Sequence, residues 1–160
     1  MIVQSLVEDV ENSKPYKEWK SGIEQHVFLV SIFAQIEDEK PIVWHVNYYC
    51  PGTDKSMTFT TYPSIEAQSE STLASDNPKP LNPDEAKVSF PEIMERASEA
   101  MSSNYPNHTF SKMLATLHQE EHPIWTVNFL THQSQTINIK LSADSGEIIS
   151  HKAFSLKDLT

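Results

Sequence analysis

Two stretches of this chain read as the same stretch. Residues 26–49 (HVFLVSIFAQIEDEKPIVWHVNYY) and 108–129 (HTFSKMLATLHQEEHPIWTVNF) both open His-x-Phe. Both run through an acidic segment into Pro-Ile and end on Trp-x-Val-Asn-aromatic. An internal repeat constrains architecture more than any single motif, because each copy must build the same local structure and find a neighbour for it. The copies align without a gap from His26/His108 through Phe28/Phe110, Glu39/Glu121, Pro41/Pro123 and Ile42/Ile124. Val43 is then one residue extra before Trp44/Trp125, Val46/Val127, Asn47/Asn128 and Tyr48/Phe129, which predicts a β-bulge there.

The flanking patterns give the same order of elements around each copy. Ile2, Val3, Leu6, Val7 and Val10 recur at helical spacing, and Pro15 predicts the end of that helix. Alternation predicts strands over 28–36, 43–49 and 56–62, with turns at 37–41 and 50–55. In the second half, Ser89-Phe90-Pro91-Glu92 has the spacing of a capping box. Phe90, Ile93, Met94, Ala97, Ala100 and Met101 form one apolar stripe, which predicts a helix over 90–103. Strands are predicted over 109–118, 123–131, 135–142 and 147–154, with turn residues at 132–135 and 143–146. Between the copies, 63–86 is rich in Ser, Pro, Asn and Asp, the composition of a linker. Asn82-Pro83-Asp84-Glu85 is an alternative cap for a helix starting earlier, which Pro91 would interrupt.

One helix followed by an antiparallel meander, twice, predicts an α+β protein of two repeated modules, each a helix packed on a sheet. The expected division is 1–62 for the first module, 63–86 for the linker and 87–160 for the second. At about 60–75 residues each half is marginal as an independent core, so the halves are expected to lean on each other or on a partner.

From Pro91 to Ser150 the sequence resembles the PepSY-like modules of peptidase propeptides. The resemblance rests on the alanine-bearing helix (Ile93, Ala97, Ala100), on Trp125-Thr126-Val127, and on Ser142-Ala143-Asp144-Ser145-Gly146-Glu147-Ile148-Ile149, which is similar to the family's closing turn and strand. Ser142 stands where that family carries Asp, and the first half lacks the Gly-Glu ending. The resemblance implies a non-catalytic regulatory or inhibitory domain whose partner is another protein, with a peptidase as the favoured target. Cystatins share the layout, but their Gln-x-Val-x-Gly loop is missing.

Charge narrows the partner further. The net charge is −10 and Arg96 is the single arginine, which argues against nucleic acid, since phosphate contacts need clustered Lys and Arg. A basic protein surface is the matching partner; general polyanion mimicry is a third reading. No apolar run approaches a membrane span and residues 1–14 lack the pattern of a secretory leader, so a cytoplasmic location is expected unless a leader was trimmed. Cys50, the one cysteine, forms no internal disulfide.

Catalytic and cofactor readings fare poorly. His118-Gln119-Glu120-Glu121-His122 has metal-site spacing only on a helix, and Pro123 follows at once, so a solvated turn is expected and no metal. Cys50 with His45 or His26 lacks any oxyanion device beside it. Gly22, Gly52 and Gly146 are the three glycines, too few for a phosphate loop. The expectation is therefore no enzyme activity and no cofactor. Trp44, Trp125, Tyr48 and Phe129 share a strand face and read as core; the alternative is a pocket for a small apolar ligand between helix and sheet. His45, Asn47, Tyr49, Thr126, Asn128 and Leu130 alternate to the other face and are expected to form an exposed partner-binding surface. The strands at 56–62 and 147–154 are read as candidate edges for strand addition.

Overall fold

The computed structural model describes residues 3–72 and 78–155. Ile2 lies outside them, as do 73–77 of the Ser/Pro-rich segment and the last five positions, 156–160. The elements run α1 (Val3–Glu11), α2 (Lys14–Ser21), β1 (Phe28–Glu37), β2 (Val43–Cys50), β3 (Lys55–Thr60), β4 (Glu66–Ala67) and β5 (Ser71–Thr72). A 3-10 turn (Pro83–Glu85), α3 (Phe90–Asn104), β6 (Phe110–Gln119), β7 (Pro123–Thr131), β8 (Gln135–Ser142) and β9 (Ile148–Ser155) follow.

The helices form where their caps and stripes dictate. In α3, the Ser89 hydroxyl accepts from the Glu92 N–H at 3.4 Å, and Phe90, Ile93, Ala97 and Met101 face inward. In α1, Val3, Leu6, Val7 and Val10 do the same. Pro15, read as a stop, instead helps to start α2: Ser13 caps it, accepting from the Tyr16 N–H, and Pro15 sits in the first turn, where a missing N–H costs no hydrogen bond. That second helix was not expected from the sequence. It presses Tyr16 and Trp19 against Tyr48 and Phe59, with ring centroids 5.0–6.2 Å apart.

The fold is α+β, but the two repeated helix-on-sheet modules are not seen. The described strands form one antiparallel sheet in the order β4-β3-β2-β1-β6-β7-β8-β9, with β5 also on β3. The junction is a full ladder between β1 and β6, from Ser31 opposite His118 to Glu37 opposite Lys112. One core runs beneath it, joining α1 and α3 residues to side chains from both halves. Pairing the first strand of each half leaves neither half an open edge at the junction, which a core of that size could not otherwise tolerate.

Side-chain parity corrects the gapless alignment. It matched Ile32 with Leu114 and Ala34 with Thr116, yet Ile32 and Ala34 are buried in the core while Leu114 and Thr116 lie on the opposite face. Phe28 likewise meets Tyr49 on the outer face, whereas Phe110 meets the core residue Phe129. A one-residue slip moves a whole strand to the other face, so one residue of offset is decisive. Nor is there a bulge at Val43, which pairs regularly with Gln35. The ladder shifts fall between Leu29 and Ser31, between Phe110 and Lys112 and, in the β8–β9 ladder, between Lys140 and Leu141. Pro41 and Ile42 sit in a turn, whereas Pro123 and Ile124 belong to β7.

The 63–86 segment contributes to this architecture where it is described. β4 and β5 pair with β3. The Leu81 N–H donates to the Leu29 carbonyl at 2.8 Å, and Leu81 and Ala86 are buried in the core. Asn82 caps the 3-10 turn through the Asp84 N–H.

Candidate functional site

Helices α1 and α3 send their buried side chains, and α2 its partly buried Tyr16 and Trp19, to one face of the sheet, and the strands present alternate residues on the other. On the covered face Trp44, Phe90 and Trp125 interlock, with centroids 4.7 Å (Trp44–Phe90), 5.3 Å (Phe90–Trp125) and 6.4 Å (Trp44–Trp125) apart. Trp125 and Phe129 are completely buried and Tyr48 nearly so. The Tyr48 hydroxyl reaches Glu11 at 3.1 Å, and burial first, then that carboxylate, pushes its pKa far up. The residues read as core or as pocket lining are thus packed against one another.

The six residues expected on the outer face all lie there: His45, Asn47 and Tyr49 on β2, Thr126, Asn128 and Leu130 on β7. Strands β1 and β6 separate the two sets, so they stand roughly 14 Å apart at the usual interstrand spacing. Five are half-buried. Tyr49 is buried, at 8% exposure, contrary to the exposed position expected of it. Its hydroxyl hydrogen-bonds Asp54 at 2.5 Å in the turn after β2, and Phe28 packs edge-on against its ring. The hydrogen bond to that carboxylate, chiefly, raises the tyrosine pKa.

Two polar ladders cross this face. Asn47 donates to the Ser31 hydroxyl at 2.9 Å and accepts from Thr58 at 2.5 Å, tying β1, β2 and β3 together. Asn138 donates to Asn128 at 2.8 Å, tying β7 to β8. Between them, Phe33 packs on His45 with centroids 5.5 Å apart, and partial burial lowers the pKa of that imidazole. Ser31, Phe33, Thr58, Leu114, Thr116, Asn138 and Lys140 share the face; alternation from Ile32 and Ala34 places Ser31 and Phe33 there, and the register of β3, β6 and β8 places the others.

Charge divides by layer. Helices α1 and α3 expose Glu8, Asp9, Glu11, Glu92, Glu95 and Glu99, whereas the short α2 exposes Lys14, Lys17 and Glu18. The outer-face positions of β1, β2, β3, β6, β7 and β8 hold a single carboxylate, Glu37, and it is tied to Lys40 at 2.9 Å and Lys112 at 3.2 Å. Those hydrogen bonds, Lys40 first, hold the Glu37 carboxyl below its ordinary range. The outer face is therefore neutral to weakly basic, in contrast to the chain as a whole.

The chemical candidates do not assemble. His118 is at the end of β6, 3.2 Å from Glu120, while His122 projects from the exposed turn. No cluster of three or more potential metal ligands occurs among the described residues. Cys50 is buried on the covered side, while His45 points to the outer face and His26 is exposed. The strand read as an edge at 56–62 is β3, which β4 and β5 cover; β9 is the end strand on the other side. No helix among the described residues is long and apolar enough to cross a membrane.

No family model and no curated protein matches the chain. Among solved structures, it is similar to a candidate lipoprotein from Clostridium difficile 630, at 11% identity and a TM-score of 0.58, over 86% of this chain and 89% of that one. This likeness is one of fold. The C-terminal domain of Bacillus megaterium YpeB aligns at 15% identity over 98% of this chain and 62% of that chain, with a TM-score of 0.26.

Proposed function

We propose that this chain is a non-catalytic protein-binding regulator that meets its partner through the outer face of the sheet, with a peptidase as the target class that the PepSY resemblance implies. The supporting observation is the contrast between the two faces. One is closed by helices and filled by Trp44, Phe90 and Trp125; the other carries two prepaid polar ladders and half-buried side chains with no element over them among the described residues. A rigid surface with few free charges and scattered aromatic and aliphatic groups suits protein recognition, because little side-chain entropy is lost on contact. Repetition enters here as a proposal too: the two halves descend from one helix-and-meander unit, joined through β1 and β6. The lipoprotein description carried by the structural neighbour directs the search for a partner to the extracytoplasmic side.

The test is affinity capture from the native host with tagged full-length chain and with Asn128→Arg. One protein recovered in stoichiometric amount by the first and lost by the second is the expected result, followed by a peptidase inhibition assay. Equal recovery by both rules out the outer face, and no recovered protein rules out the binding function.

A further inference from the structure

Among the described residues, no element caps the β9 end of the sheet. β3, near the other end, is covered by β4 and β5, whereas β9 pairs only with β8 among the described strands. Residues 148–153 are all exposed, and Ile148 and Ile149 are 40% and 53% accessible. A long end strand leaves one row of backbone N–H and C=O groups unpaired, and natural edges are usually shortened, bulged or charged to prevent pairing. β9 is eight residues long, carries one charged side chain, Lys152, and has a single bulge, at Ile149, where its ladder to β8 shifts between Lys140 and Leu141; Ser150 to Ser155 pair with β8 in regular register.

Two depressions flank the start of this strand, one on each side of the sheet. A cavity of about 370 Å³ between α3 and β9 is lined by Glu99, Glu147 and Ile148, with Arg96 at its wall. A second, of about 470 Å³, lies by the β6–β7 turn and is lined by Glu120, Glu121, His122 and Ile149, with Lys79 the one lysine on its wall. Consecutive strand residues point to opposite faces, so a chain extended along β9 sends neighbouring side chains into the two depressions in turn. Arg96 is engaged by Glu92 at 3.0 Å and by the Gly146 carbonyl at 3.3 Å. Glu99, Glu121 and Glu147 make no ion pair among the described residues.

We propose that β9 accepts an extended segment of another protein as an added strand, and that this segment carries adjacent basic side chains, one for each glutamate-rimmed depression. The unpaired backbone sets the conformation of the occupant and the carboxylates set its charge. A second copy of this chain fits worse: dyad pairing about the strand centre, with the helices on one side, places Lys152 opposite Lys152 or His151 opposite His151, within a chain of net charge −10. The inference deepens the protein-binding reading by naming the partner's chemistry, but it rests on a different surface.

The experiment uses the full chain and three fluorescein-labelled eight-residue Val/Thr peptides with central Lys-Lys, Glu-Glu or Thr-Thr, read by anisotropy and by amide hydrogen exchange. The Lys-Lys peptide is expected to bind at least tenfold more tightly than the others and to slow exchange over 148–154. Glu121→Lys with Glu147→Lys should abolish that preference, and Glu121→Gln with Glu147→Gln should reduce it, which keeps the test alive if the reversal impairs folding. Asn128→Arg should leave it unchanged, so loss of the outer-face reading and loss of this one are separable. Equal binding of all peptides, binding without protection in 148–154, or concentration-dependent protection of β9 in the absence of peptide would each overturn the proposal.

Discussion

The same strands build two unlike surfaces. On the covered face of β7, Trp125, Val127 and Phe129 are wholly buried in the shared core, where Trp125 packs on Trp44 from the first half of the chain; one position along, Thr126, Asn128 and Leu130 are half-buried opposite Lys140, Asn138 and Thr136. Strand geometry forces this alternation, but what fills each face differs in kind. The covered face is held by volume, where missing atoms leave a cavity; the outer face is held by hydrogen bonds between short polar side chains, which stay ordered without a cover. Stability is concentrated on the first, leaving the second open to selection for binding.

The sharpest way to break this contrast is to truncate neighbours on β7. Phe129→Ala is expected to cost about 3–5 kcal/mol, the usual range for a buried phenylalanine. Leu130→Ala should cost roughly 1.5 kcal/mol or less, since most of its transfer energy is unrealised at a half-exposed site. Comparable shifts in urea midpoint for the two variants would mean the faces are not energetically distinct. At the turn that launches β9, Gly146 has φ +80° and its missing Cβ would lie 3.1 Å from Arg96 side-chain atoms. Gly146→Ala is expected to cost about 1–2 kcal/mol for the left-handed backbone, measured by thermal unfolding; no loss would mean the turn relaxes freely. Asn47→Ala removes the bridge between Ser31 and Thr58 and should cost about 1 kcal/mol, the typical net worth of a side-chain hydrogen bond. A double-mutant cycle with Thr58→Val should show positive coupling.

The smallest expected effect is on pH. Burial lowers the His45 pKa in the folded chain, so between the folded and unfolded values the unfolded state binds more protons. Its contribution is fully present above the unfolded pKa, about 6.5, and is lost as pH falls through that value toward the folded one. His45→Gln should flatten this part of the stability profile; an unchanged slope would assign the dependence to other groups.

Much of this was legible in the sequence because the signals were local. The α3 cap at Ser89, the apolar stripes of α1 and α3, and the bounds of β7 and β8 follow from spacing alone. The second helix was missed because Pro15 has opposite meanings inside a helix and at its first turn, and only the Ser13 cap distinguishes them. The single sheet was missed because β1 pairs with a strand about 80 residues away, a contact that no local pattern encodes. The outer face was identified from Trp44 and Trp125, whose parity is secure, but the gapless repeat carried the wrong parity into β6 and hid Leu114 and Thr116. Strand alternation places Tyr49 on the exposed side, and its burial is not legible there because the Asp54 contact depends on the turn, not on the strand.

Site-specific photo-crosslinking in the native host tests the central claim most directly, with benzoylphenylalanine placed at Leu130 on the outer face and at Glu8 on the helical layer. The account predicts one specific protein adduct from position 130 and none from position 8. The same adduct from both positions, or an adduct from position 8 alone, would contradict it.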